Sequence, residues 1–165
     1  MELLENAKIL ADANVLINDF FFRHPEFGTA RVVPERQAQV EAYRQRVHLA
    51  LENLSQRTDI QIFTPSFVLL RVASLLSDLF VPNALARQEL IYLSNNYGLI
   101  ELNRSEIEKI VWQIQTTDEE NLLGMEDYFL LAACKQTECT HILTSVRKSY
   151  DAIEGVKVLY PEQIK

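Results

Sequence analysis

Acidic and polar side chains of this sequence follow apolar runs that have the length of buried strands. In the stretch KILADANVLIND, Asp12 and Asn14 come directly after the apolar residues 9–11, and a helical apolar run resumes at Val15. A strand that ends in an acid and turns at once into a helix places a carboxylate at the edge of a sheet. In open α/β sheets, ligands bind beyond the carboxyl ends of the strands. Because aspartate is also a common helix N-cap, Asp12 is either a cap or a site residue.

Further polar side chains stand at the predicted carboxyl ends of later strands: Thr64, Ser66, Asn103, Thr144 and Ser145. Asp127, with Glu126 before it, opens a predicted helix over 125–138 that is apolar on most sides and is therefore expected deep in the fold. Because the carboxyl ends of parallel strands meet at one edge, these side chains are expected to collect around Asp12. This convergence favours Asp12 as a site residue over a simple cap.

Strands and helices alternate along the chain. The apolar runs predict strands at 7–11, 60–63, 99–102, 141–144 and 157–160. Between them, the helical spacing of apolar residues predicts helices over 13–24, 34–57, 67–80, 82–97, a segment after 103–106 with capping-box spacing, and 125–138. We expect a break at 24–28, a residue just past a helix end at Gly98, and a polar loop over 116–124. The pattern predicts an α/β fold, a three-layer sandwich with a mostly parallel central sheet of about five strands.

Composition is that of an ordinary globular protein. The 165 residues are 48% hydrophobic and 24% charged, which is enough for one domain over 1–165 with a buried core. No apolar run approaches the ~20 residues needed to span a bilayer, and residues 1–5 lack a signal-peptide pattern. We therefore expect a cytoplasmic protein without a membrane partner.

Charge and cysteine content narrow the function classes. The formal net charge of −7 disfavours broad non-specific binding to nucleic acid, although it leaves room for a local basic face. The two cysteines form no CxxC pair, and Cys134 is most simply a small core residue. The three histidines are scattered, so none is assigned as a metal ligand.

Four motifs in this order resemble the PIN-domain family over nearly the full length of the chain. ILADANVLI resembles the opening motif, in which an aspartate is followed two residues later by a small polar residue. FTPSFVLLRVASLL resembles the second motif, a strand, a Ser/Pro turn and a helix. MEDYFLLAACKQTECTHILTSVRKSYDAI resembles the closing block, and KVLYPEQI is similar to the last strand and tail.

This resemblance implies an α/β/α nuclease that acts on RNA with Mg²⁺ or Mn²⁺ held by three or four acids. It also implies a toxin of a toxin–antitoxin pair, with an antitoxin or other protein partner, and a homodimer. Hard divalent cations take oxygen ligands, and a bound metal activates water and stabilises charge on the phosphate. The segments 34–57 and 67–80 are each suited to a dimer face or to core packing.

Matched by position, Asp12 and Asp127 take the places of the first and third acids, and they are the predicted catalytic and metal-binding residues. The second acid is replaced by Arg71. The fourth place, after Thr144, is occupied by Val146. We assign positioning of nucleic acid or water to the remaining polar residues of the predicted edge: Asn14, Glu126, Ser66, Thr144 and Arg71.

The loss of two acidic positions leaves two functions open. The first is a metal-dependent endoribonuclease with weakened or lost catalysis. The second is a non-catalytic PIN-like module that binds RNA or protein, in which Arg71 either pairs with Asp12 or Asp127 or extends into solvent. Asp78, Asp151 and the acids at 118–120 are poorly placed as replacements. A phosphoacceptor receiver domain is disfavoured, because alanines flank Asp12 where receivers carry a second acid.

Overall fold

A single parallel sheet organises the computed structural model, which describes residues 4–28, 32–116, 124–146 and 156–164. Its strands run in the order β3-β2-β1-β4-β5, and every pair of neighbours is parallel. The strands are β1 (Lys8–Ala11), β2 (Gln61–Pro65), β3 (Gly98–Ile100), β4 (His141–Leu143) and β5 (Lys157–Leu159). The five predicted strands and their parallel arrangement are confirmed.

Helices connect the strands and cover the sheet. They are α1 (Ala13–Arg23), α2 (Pro25–Gly28), α3 (Gln37–Ser55), α4 (Ser66–Asp78), α5 (Asn83–Asn96), α6 (Arg104–Thr116) and α7 (Met125–Thr137). Helix α1 packs on α3 and α4, α4 packs on α5, and α6 packs on α7. Crossovers between parallel strands are right-handed, so the path β1-β2-β3 and the return to β4 place their helices on opposite faces. The fold is therefore the predicted three-layer α/β/α sandwich.

The middle of the sheet forms the centre of the hydrophobic core. Ile9, Leu10 and Ala11 of β1 are fully buried, as are Ile142 and Leu143 of β4. Because helices cover both faces, these strands are apolar at successive positions instead of alternating. This continuous apolar character is what made the strands recognisable in the sequence.

Local differences from the sequence predictions have identifiable causes. The predicted break at 24–28 contains the short helix α2, and the helix predicted from Pro34 begins as a 3₁₀ turn over Pro34–Arg36. Gly98 follows the end of α5 as expected but already belongs to β3. A Cβ atom there would lie 2.6 Å from Cδ1 of Phe63, so close packing against β2 requires glycine. Of the predicted polar loop, residues 117–123 lie outside the described residues.

A buried ionic network, which the sequence did not predict, connects three helices of one layer. Arg23 of α1 donates two hydrogen bonds to Glu89 of α5, at 2.9 and 2.6 Å, and one to Asp19 at 3.0 Å. His48 Nδ1 of α3 lies 2.8 Å from the other carboxylate oxygen of Asp19. Desolvation acts to lower the pKa of Arg23, but Glu89 and Asp19 outweigh it and raise that pKa above its usual value. The paired charges fix α1, α3 and α5 relative to one another.

No helix within the described ranges has both the length and the apolar composition that crossing a bilayer demands.

The substitution Glu89→Gln tests this network. It keeps the shape of the side chain but leaves the Arg23 guanidinium without the buried carboxylate that pairs with it in both Nη contacts. Breaking such a buried pair should lower the free energy of unfolding by about 3 kcal/mol, measured by urea denaturation. Glu108→Gln is the matched control, because the pair of Glu108 with Arg104 is exposed and should change stability by less than about 1 kcal/mol. A loss at Glu89 no larger than that at Glu108 would show that the network stabilises the fold no more than an exposed ion pair does.

Candidate functional site

Asp12 lies at the point where the strand order reverses. The chain moves from β1 outward to β3 and then returns to add β4 on the opposite side of β1. Asp12 directly follows β1, and its N–H donates to the carbonyl of Leu143 at the end of β4, at 3.0 Å. In parallel α/β sheets, this switch point opens a crevice at the carboxyl edge where ligands bind. The position predicted for Asp12 from the sequence is the position that it occupies.

A buried hydrogen bond joins Asp12 to Thr144 across the switch point. The hydroxyl of Thr144 donates to Oδ2 of Asp12 at 2.8 Å, and 1% and 0% of these two residues are exposed. The same hydroxyl oxygen accepts a hydrogen bond from the N–H of Val146 at 3.2 Å. A hydroxyl has one proton, so this second contact orients that proton toward Asp12. Asn14 adds a contact of 3.4 Å from Nδ2 to the same carboxylate oxygen, which is at the long limit for a hydrogen bond.

The helix-cap interpretation of Asp12 holds for its backbone and not for its carboxylate. Asp12 is the N-cap residue of α1, with extended backbone angles, and its carbonyl accepts from Val15 and Leu16. Its side chain makes no capping hydrogen bond to the helix. The carboxylate is instead directed to Thr144. Asp12 is therefore held by the neighbouring strand's end as well as by its own helix.

Arg71 and Glu126 form a second group of predicted site residues. Nε of Arg71 in α4 lies 3.1 Å from Oε1 of Glu126 in the first turn of α7. About half of each side chain is exposed, at 51% and 46%, so this is a surface ion pair. Phe67 and Phe129 hold the same two helices together, with ring centroids 5.6 Å apart. The sequence left Arg71 either paired with Asp12 or Asp127 or extended into solvent; the ion pair in the described residues is with Glu126, and half of the Arg71 side chain is exposed.

Asp127 lies beside this pair, with its carboxylate turned back over the beginning of its own helix. The N-cap of α7 is Gly124, and a Cβ atom at that position would lie 3.0 Å from Oδ2 of Asp127. The N–H of Asp127 donates to the carbonyl of Gly124 at 2.9 Å. A carboxylate in this place also interacts favourably with the positive end of the helix dipole.

The remaining predicted residue, Ser66, begins α4 directly after β2 and is half-buried. It belongs to neither contact group. Thr64, one of the polar residues at the strand ends, is fully buried, and its hydroxyl has no hydrogen-bond partner in the part of the chain that the structure describes.

The described side chains of this edge are a poor match for a divalent metal site. Within residues 4–28, 32–116, 124–146 and 156–164, no three side chains of His, Cys, Asp or Glu lie close enough together to hold an ion. The second acidic place carries a guanidinium, which engages Glu126, and the fourth carries the apolar Val146. Mg²⁺ needs several oxygen ligands in near-octahedral geometry. The described donors do not fit the three or four acids that the sequence resemblance implied.

Sequence reasoning missed one contribution to this region and one group of ionisable residues elsewhere in the fold. The first is the N–H of Val146, a backbone donor that no side-chain pattern can reveal. The second is the group of ionisable residues around Asp19, which ends the stretch KILADANVLIND; together with His48 and Tyr97 it lines a cavity of about 180 Å³. The spacing of Asp19 and Arg23, one helical turn apart, was the only sign of it in the sequence.

No protein-family model and no curated protein matches the sequence. Solved structures share its fold. VapBC2 from Rickettsia felis, bound to a promoter DNA fragment, superposes with a TM-score of 0.61 at 13% identity and covers 93% of this chain and 98% of its own. A toxin–antitoxin complex from Klebsiella pneumoniae gives 0.57 at 18% identity over 93% and 97%. The Mycobacterium tuberculosis toxin VapC20, which cleaves the sarcin–ricin loop, gives 0.55 at 14% identity over 87% and 92%.

Two threonine-to-valine substitutions distinguish the contribution of the Asp12–Thr144 hydrogen bond to stability from the contribution of side-chain packing. Thr144→Val removes the donor to a buried carboxylate and should lower the free energy of unfolding by about 2 kcal/mol in urea denaturation. Thr64→Val removes a buried hydroxyl without a partner in the described residues and should be neutral or stabilising. A loss at Thr64 as large as that at Thr144 would mean that valine is simply tolerated poorly at this edge.

Proposed function

We propose that this chain, which has the PIN-like fold of toxins such as VapC20, is a ribonuclease-type toxin–antitoxin domain whose metal-dependent cleavage of RNA is weakened or lost. The ion pair between Arg71 and Glu126 carries this proposal. It places a positive charge at the edge where cleavage would need a cation held by carboxylates. Asp12 and Asp127 are the acids that we assign to any residual catalysis.

Electrostatics explains why the exchange of an acid for Arg71 weakens a cation site. A guanidinium cannot be deprotonated in a protein and cannot act as a ligand, because it carries only donors. It neutralises one carboxylate, Glu126, and repels a second cation nearby. The pair thereby supplies the charge balance that a metal ion would otherwise supply.

The second candidate function is a non-catalytic module that binds RNA or a protein. It is favoured by the exposure of Arg71, half of whose side chain is accessible beside the carboxyl edge. A guanidinium in this position suits bidentate contact with a phosphate or a carboxylate. The complexes of fold relatives with antitoxins support a protein partner for this chain. We further propose a homodimer in the cytoplasm as its working state.

Restoring the acidic positions tests the proposal directly. Purified protein is incubated with single-stranded and hairpin RNAs and with Mg²⁺ or Mn²⁺, and the products are separated on gels. The wild type should cleave slowly or not at all. The double variant Arg71→Glu/Val146→Asp should gain cleavage by about tenfold or more, which corresponds to a barrier lower by about 1.4 kcal/mol. Chelator, or the further change Asp12→Asn, should abolish that gain.

Matched exchanges at a distance control for the added negative charge. Arg104→Glu and Val111→Asp make the same changes on α6, where the Arg104 side chain is 93% exposed, and should leave cleavage unchanged. Rapid, Asp12-dependent cleavage by the wild type that the double variant does not exceed would contradict a weakened site. RNA binding that chelator does not affect, with no cleavage by the wild type or the restored variant, would favour the binding module.

A further inference from the structure

The two cysteines of the chain meet at the junction between α7 and β4. Cys134 lies in the last turn of the helix and Cys139 two residues before the strand, and both are buried. Glu138 between them adopts a left-handed conformation with φ of 56°, which reverses the chain. The N–H of Cys139 consequently donates to the carbonyl of Cys134 at 2.9 Å. This helix-terminating turn brings side chains five residues apart next to each other.

The two cysteines are neighbours in this turn, and each side chain affects the pKa of the other. The hydroxyl of Thr137 donates to the carbonyl of Ala133 at 2.6 Å, and its oxygen lies 3.0 Å from Sγ of Cys139. The backbone hydrogen bond from Cys139 to Cys134 holds the two residues side by side. This is the arrangement that a disulfide requires, because Cα atoms must already lie within about 7 Å for the bond to form without distortion.

The surroundings of the pair make its members chemically different. The neighbouring Cys134 side chain lowers the pKa of the Cys139 thiol below its usual range, against the effect of burial and with help from the charge of Lys8. The same interaction, followed by burial, raises the pKa of Cys134. Lys8 is held at the junction, where Nζ donates to the carbonyl of Thr137 at 3.2 Å. Cys139 is also the more accessible of the two, at 5% exposed against 0% for Cys134. Since the thiolate is the reactive form of cysteine, we assign Cys139 as the nucleophile and Cys134 as the thiol that reacts second.

We propose that Cys134 and Cys139 are a modification site, at which a peroxide closes a reversible disulfide between α7 and β4. The Cys139 thiolate attacks one peroxide oxygen, the O–O bond breaks, and the departing hydroxide takes up a proton to give water. The resulting sulfenic acid at Cys139 is then attacked by the sulfur of Cys134. The S–S bond forms as the S–O bond breaks, and the second hydroxide leaves with the Cys134 proton as water.

The oxidation is balanced in atoms and electrons, and the bond that it forms would link two elements of the fold. Two thiols lose two electrons and two protons in total, and one peroxide is reduced to two molecules of water. Peroxide meets Cys139 first, because Cys139 keeps 5% of its surface exposed and Cys134 none. The bond would tie the C-terminal end of α7 to the start of β4. Glu126 and Asp127 lie in the first turn of that helix, and Thr144 directly follows that strand. It is independent of whether the carboxyl edge cleaves RNA.

Native protein treated with hydrogen peroxide and then denatured in maleimide tests the proposal by intact mass. We expect the wild type to lose two hydrogen atoms and to take up no maleimide, and dithiothreitol to restore two reactive thiols. Because the chain has only these two cysteines, no other thiol can contribute. Two unreacted thiols in the folded protein, under conditions that oxidise the chain in guanidinium, would overturn the proposal. Disulfides formed only between molecules would overturn it as well.

Single substitutions assign the two roles. In Cys134→Ala, Cys139 should accumulate as sulfenic and then sulfinic acid, whereas in Cys139→Ala the remaining thiol should stay reduced. If both single variants fail to fold, the wild-type pH profile decides the assignment without them. The rate of its oxidation should reach half its maximum below about pH 8.5, the usual value for a free thiol. A wild-type midpoint at or above about 8.5 would contradict an activated Cys139.

Discussion

The hydrogen bond from Thr144 to Asp12 is the contact on which the carboxyl edge of the sheet depends. It joins the ends of β1 and β4, which are neighbours in space but are separated by more than a hundred residues of chain. Both partners are buried, so water cannot replace the donor if the threonine is lost. The strands, the turn after β4 and the start of α1 must all be in register for this contact to form. The Asp12 carboxylate is therefore oriented only when the sheet has folded correctly.

Two arginines show how differently the fold uses the same group. Arg23 is engaged by Asp19 and Glu89 in the helical layer, and its surroundings are largely closed to solvent. Among the described residues, Arg71 pairs with the Glu126 carboxylate at the surface, where an ion pair contributes at most about 1 kcal/mol. The first contact holds the structure together and the second sets the charge of an edge. Charge at the carboxyl edge can therefore be changed with little effect on the fold, so the charge of this edge and the stability of the fold are separable by mutation.

The fold and the place of Asp12 could be predicted from the sequence, because buried parallel strands are continuous apolar runs and their ends share an edge. The partner of Arg71 could not. Adjacent residues of a helix point about 100° apart, so the choice between Glu126 and Asp127 depends on the rotation of α7, which no sequence pattern fixes. The ionic network around Arg23 could not be predicted for a related reason. Glu89 lies far along the chain, and only the packing of α5 against α1 brings its carboxylate to the guanidinium.

The N–H of Val146 has a consequence for how this edge can change over time. It holds the Thr144 hydroxyl through the backbone, and every residue except proline supplies the same donor. The Val146 side chain is exposed and is not needed for that contact. Substitutions of the Val146 side chain should therefore leave folding unchanged. An acid at this position would be maintained only if it served a chemical function. A lineage that no longer needed cleavage would lose this acid early and keep its sheet intact.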